Sequence, residues 1–432
     1  MLQALIILSL AAAVSLTLVP VLRIPLQHQE AFRVLVFGQG TVLAIQFAFR
    51  PFVNLLVAHQ RNDLGNCLNS VALIIGFGVL WLSFALGAGI MSLLWSQFAG
   101  AIVSVLLGGL CCRNLRLMPK TGTWRWPTWG HFMEVFGLGQ RVFLLVVAGQ
   151  IINASPTIIV ARTLGLEAAA VWSVCTRPFL LLFQVITRIF DYSTPALAEM
   201  MVHGDHDRML SRSRSLIGLS VSLSVAAAAV FVISNQPFVH IWTHGTLGWA
   251  VWNDALLGIW LIVQCSVHVH TGLAIQTKKL ELLPQVLLLQ AVVFIGGTLM
   301  LAFQSKFGGI TSMLALAVVA TLVFGFPYSM RRTAQYFQTP LKIVGWAWNA
   351  PAIQLMILLS PPAAALWWLT EPLNEIPKLV LRIVLLGTFA SIMFFRVGLD
   401  RSVREDLFLR APAYMKRPLR VLIGYQQHGN IL

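Results

Sequence analysis

A chain of 432 residues that is 58% hydrophobic and only 10% charged, with a mean hydropathy of +0.80, cannot clothe itself in polar side chains against water; soluble domains carry roughly 25% charged residues. Its net charge of +15 lies mostly between apolar runs rather than in aromatic-interleaved basic clusters, which excludes nucleic acid as a partner and points to membrane orientation. The five cysteines form no CxxC pair, which speaks against a disulfide framework or a zinc site.

Apolar runs of roughly 17–23 residues, enough to cross about 30 Å of hydrocarbon, recur twelve times. They fall near 2–21, 34–56, 68–86, 89–110, 142–159, 168–189, 216–233, 255–276, 286–303, 310–327, 350–369 and 379–397. The predicted class is therefore all-α, a polytopic membrane bundle of about twelve helices.

The first run follows Met1 without the basic leader of a secretory signal, so it reads as a signal anchor or as the entry, partway, into a longer design. The second run carries Gln39, Gln46, Arg50, Asn54 and Arg61, which fall within about 80° of arc on a helical wheel. Arg50 precedes Pro51. Charge at bilayer depth costs about 2.5–3.5 kcal/mol per residue, so such a stripe is a candidate functional site.

After the fourth run comes the longest connection that the charge pattern places inside, 111–141, with Arg113, Arg116, Lys120, Arg125 and Arg141 beside Trp124, Trp126 and Trp129. It reads as a linker between lobes whose Trp residues rest at headgroup level. The expected organisation is an N-terminal lobe over 1–115, a basic linker over 116–141, a six-helix lobe over 142–335, two additional helices over 336–400 and a basic tail over 401–432.

The fifth run has a weaker stripe, Gln150, Asn153 and Thr157. The sixth has the strongest: Arg177, Gln184, Arg188 and Asp191 share about 60° of arc and climb about 21 Å. Arg188 and Asp191 are spaced to pair at i,i+3, and Pro178 beside Arg177 frees a carbonyl in the preceding turn. In the eighth run Gln264, His268 and Thr271 share a face, with His268 a candidate for proton coupling. Buried interhelical hydrogen bonding is the alternative account of these stripes. Two Arg per helix, with one acid between them, favour a solvated cationic cavity.

Lys and Arg number 14 in the connections after even-numbered runs and 5 after odd-numbered runs, with six more from residue 401 onward. The even connections and both termini are thus expected on the cytoplasmic side. No Gly-rich phosphate loop, HExxH or GxSxG elbow is present, and neither a cofactor nor catalytic chemistry is expected.

The strings TIIVARTLGLEAAAVWSVCTRPF (157–179), STPALAEM (193–200) and GDHDRML (204–210), with AHQRNDLGNCLNS (58–70), resemble the oligosaccharide flippase family. That family belongs to the multidrug/oligosaccharidyl-lipid/polysaccharide exporter superfamily and includes O-antigen and teichoic-acid exporters. The resemblance implies two lobes of a fourteen-helix design in which the first run here matches the third helix, so that this chain is expected to lack the first two. It also implies a multi-pass protein of the bacterial inner membrane that flips undecaprenyl-pyrophosphate-linked oligosaccharide, with polysaccharide-assembly proteins and a coupling ion (H+ or Na+) as further partners. Arg177, Arg188 and Arg50 would hold the diphosphate, and Gln184, Gln46 and Asn54 the sugar hydroxyls. Members often place an Asp where Pro156 stands, so His268 or the Arg188/Asp191 pair would carry any ion coupling. The rival readings are a cation-coupled multidrug exporter and a polysaccharide polymerase or ligase. The first wants more intramembrane carboxylates, and the second a larger outward loop.

Overall fold

The computed structural model describes residues 2–22, 26–59, 61–118, 128–245, 249–303 and 309–410. All regular structure among them is helical. In chain order the helices are α1 (Leu2–Leu22), α2 (Leu26–Ala58), α3 (Asn62–Ala85), α4 (Ser92–Asn114), α5 (Trp129–Thr163), α6 (Leu166–His203), α7 (His206–Trp242), α8 (Val251–Gln276) and α9 (Leu283–Phe303). Then α10 (Ile310–Ala320) runs through a π-turn (Thr321–Gly325) into α11 (Phe326–Tyr336), and α12 (Ala350–Thr370) follows. The last hairpin arm is α13 (Glu375–Leu381), a π-turn (Arg382–Leu386), α14 (Gly387–Met393) and a further π-turn (Phe394–Gly398), before α15 (Arg401–Arg410). Twelve of the resulting rods are long and apolar enough to cross a bilayer, so the chain is a multi-pass membrane protein.

The chain divides into two compact units, Met1–Thr128 and Trp129–Leu432. In the first, α1 packs on α2, α3 on α4, and α2 on α4. In the second, α7 and α8 form the centre: 61% of the most apolar stretch of each is buried, against 17% for each of α1 to α4. Around this pair lie α6, α10 and α11, while α12 and α13 close over α7, and α5 packs between α6 and α9. Small residues let these rods approach. A Cβ at Gly258 on α8 would stand 2.5 Å from Val232 Cγ2 on α7, far inside contact distance.

Helix ends follow local chemistry. Gly204 takes φ 74° at the end of α6, and its N–H reaches the carbonyls of Met200 and Met201, which frees the chain to reverse into α7. The linker expected over 116–141 is helical from Trp129 onward; Lys120, Trp124, Arg125 and Trp126 lie outside the described residues. So do Met1 and the part of the basic tail that starts at Ala411.

Candidate functional site

One face of α6 carries Trp172, Phe179, Ile186 and Phe190 into the core of the second unit. The opposite face is left uncovered, with Leu181 61% and Val185 65% exposed, and Arg177, Gln184 and Arg188 lie on it. At 1.5 Å per residue, Arg177 stands about 16 Å along α6 from its start at Leu166. Among the described residues no acid pairs with Arg177 or Arg188. The i,i+3 pair expected between Arg188 and Asp191 does not form. Asp191 is rotated toward α8 and its Oδ1 lies 3.0 Å from His268 Nε2, so the cross-helix partner displaces the local one.

That Asp191–His268 pair is part of the wall of a cavity of about 500 Å³ enclosed by α5, α6, α8 and α9. The side chains are 40% and 34% exposed, so the pair is reachable from the cavity. Phe183 and Phe190 set their rings edge-on to the imidazole, with centroids 6.0 and 6.2 Å away. Gly272 makes this possible, because a Cβ there would overlap Phe190 Cε1. Asn153, Gln264, Thr271 and Gln290 add polar wall. Gln290 donates to Thr321 Oγ1 at 3.1 Å, while its own Oε1 and Thr271 Oγ1 have no partner among the described residues. Pro156 and Pro195 lack the N–H that would bond the carbonyls of Ile152 and Asp191. Both of those residues line the cavity.

Arg177 borders two further spaces of opposite character. One, of about 230 Å³, is polar: Asn153, Thr157, Ser173 and Thr176 line it beside Trp172 and Trp260. The other, of about 630 Å³, is an apolar groove between α6, α7 and α13, walled by Leu181, Phe231, Phe238, Trp242, Leu379 and Ile383. A lone guanidinium thus stands where a polar pocket meets a hydrocarbon-like groove.

In the first unit Gln39, Gln46, Arg50 and Asn54 lie together on the exposed face of α2, and the Arg50 guanidinium rests 5.2 Å from the Phe47 ring centroid. Arg61 leaves the expected stripe, because α2 ends at Ala58. Its Nε and one terminal nitrogen each donate to Asp63 at 3.1 Å. Those bonds, and then the carboxylate's charge, raise the guanidinium pKa above its ordinary value.

Two charged side chains with no solvent exposure among the described residues escaped the sequence reading. Asp254, in the first turn of α8, is fully buried; its Oδ1 accepts from Asn235 Nδ2 at 2.6 Å and from Trp249 Nε1 at 2.8 Å. Arg382, at the head of a π-turn, is fully buried as well. It donates to Thr370 Oγ1 (2.8 Å), the carbonyls of Ile233 (2.7 Å) and Trp367 (3.0 Å), and Glu371 Oε2 (3.2 Å). A lone acid at a span's edge, and an arginine whose acid lies beyond the helix turn, have no stripe to reveal them. No group of three His, Cys, Asp or Glu side chains with metal-binding geometry occurs among the described residues.

Residues 5–246 match the model of a family described as polysaccharide biosynthesis protein. Neither a curated protein nor a solved structure was found to match the chain.

Proposed function

Because this multi-pass membrane chain belongs to the family of polysaccharide biosynthesis proteins, we propose that it is a transporter that flips undecaprenyl-pyrophosphate-linked oligosaccharide across the bacterial inner membrane. The observation that carries this reading is the position of Arg177, bordered on one side by a polar pocket with two Trp walls and on the other by an apolar groove. A lipid-linked sugar has the same three parts: glycan, diphosphate and hydrocarbon. Charge-assisted hydrogen bonds from Arg177 and Arg188 take the diphosphate. Thr157 and Thr176 meet sugar hydroxyls in the pocket, and Gln184 meets them along α6. The stripe on α2, Gln46, Arg50 and Asn54, serves the same substrate class from the first unit.

The cytoplasmic placement of both termini in this reading comes from the excess of Lys and Arg in the even connections. Ion coupling, by H+ or Na+, belongs to the same reading, with His268 as a proton carrier held by Asp191. Assignment to the O-antigen exporters of the multidrug/oligosaccharidyl-lipid/polysaccharide exporter superfamily rests on the motif resemblance.

The test is replacement of Arg177 and Arg188 by Ala in a strain whose surface polysaccharide depends on this chain. Surface polysaccharide disappears while the protein stays in the membrane. Undiminished export by the double variant rejects the assignment.

A further inference from the structure

Asp254 is the odd group of the second unit. Its carboxyl is wholly buried, and its two hydrogen bonds come from neutral donors and fall on one oxygen. Among the described residues the other oxygen, Oδ2, has no partner, and neither has Oδ1 of Asn235, whose amide nitrogen donates to Asp254 Oδ1. Two acceptor oxygens without a donor therefore belong to adjoining side chains, each at least 98% buried. Among the described residues no Lys, Arg or His pairs with Asp254. The buried Arg382 is engaged by Glu371 and three other acceptors instead. An ionised carboxylate sealed in this way is costly unless a positive charge neutralises it.

We infer that Asp254 and Asn235 form a site for a monovalent cation, a proton or Na+, bound between the two orphaned oxygens. Both candidates answer the same need: each supplies one positive charge to oxygens that lack a donor. Among the described residues the surroundings offer no competing cation. From α6 the titratable neighbour is the Cys175 thiol, while α7 contributes the Asn235 amide. Trp249 precedes α8, and α10 contributes Thr311, which bonds the neighbouring Asn253 at 2.7 Å; both groups are neutral.

Occupancy of the site reaches α6 through Asn235. Its amide nitrogen is shared between Asp254 Oδ1 at 2.6 Å and the Cys175 carbonyl at 3.1 Å. Cys175 precedes Arg177 by two residues and Pro178 by three, and Asn235 also lines the apolar groove beside Arg177. A cation that draws on the Asn235 amide thus alters the hold on the turn of α6 that carries Arg177. The coupling role, though not the site itself, rests on the transport reading above.

The experiment uses the purified full-length chain in detergent. Its unfolding midpoint is followed with NaCl against choline chloride at constant ionic strength, and separately from mildly acidic to mildly alkaline buffer. The wild type gains several degrees with Na+ if sodium is the ligand, or with acidification alone if the ligand is a proton. D254N keeps an acceptor for Asn235 and Trp249 without the charge, and loses that response. A D254N response equal to that of the wild type overturns the site. Should D254N fail to accumulate, N235A decides: it removes one of the two oxygens, and a retained wild-type response overturns the site equally. An intact cation response with no export strikes the transport reading and leaves the site standing. Intact export with no cation response does the reverse.

Discussion

Pro237 and Arg382 complete one another. The proline denies α7 the N–H that would bond the Ile233 carbonyl, and Arg382 supplies that bond from the last hairpin at 2.7 Å. In a bilayer an unpaired carbonyl has no water to turn to. Replacing Arg382 with Ala is expected to cost about 3–5 kcal/mol, because Glu371, Thr370 and two carbonyls lose their donor together. In a Pro237→Ala background the Ile233 carbonyl regains its helical partner, so the same arginine replacement costs less, with a coupling of about 1 kcal/mol. Unfolding midpoints of the four proteins measure it, and equal costs in both backgrounds refute the pairing. Little of this was legible from the sequence: Thr370 and Glu371 lie eleven or more residues from Arg382, and Ile233 on another helix. The uncovered row Arg177, Gln184 and Arg188 was legible, because one helix's periodicity fixes which residues share a face. The partner of Asp191 was not, since it stands on α8.

Among the elements, α6 and α8 meet where Phe190 lies over Gly272 and turns its ring edge toward His268. A Gly272→Ala replacement drives a methyl group into that ring. The overpacking costs about 1–3 kcal/mol. It also moves Phe190 off the imidazole, so export is expected to fall further than the lowered unfolding midpoint alone explains. Export that merely tracks protein abundance would detach this contact from function. The twelve spans were legible in hydropathy, as each crosses the same thickness of hydrocarbon. Their true lengths were not: α6 continues to His203, well past the apolar run ending near 189. The turns beyond 189 mix Asp191, Glu199 and His203 with apolar residues, so the mean hydropathy falls and a hydropathy reading stops before the helix does. The π-turns at Thr321–Gly325, Arg382–Leu386 and Phe394–Gly398 also left no sign in the hydropathy pattern, because one extra residue per turn does not change it.

For the whole molecule, membership of a polysaccharide biosynthesis family and a multi-pass membrane fold agree with a composition that needs lipid as its solvent. The second unit contains the guanidinium row on α6, the cavity beside His268, the polar pocket and apolar groove beside Arg177, and the sealed Asp254, while the first contributes the polar stripe on α2. The most direct test reconstitutes the purified chain into liposomes that carry a fluorescent undecaprenyl-pyrophosphate-linked oligosaccharide. Loss of the outer-leaflet signal to an impermeant glycosidase then reports translocation. The account predicts that the wild type exposes the inner-leaflet pool far faster than protein-free vesicles do, and that R177A/R188A does not. Equal rates for the wild type and the double variant, or no rate above empty vesicles, would contradict it.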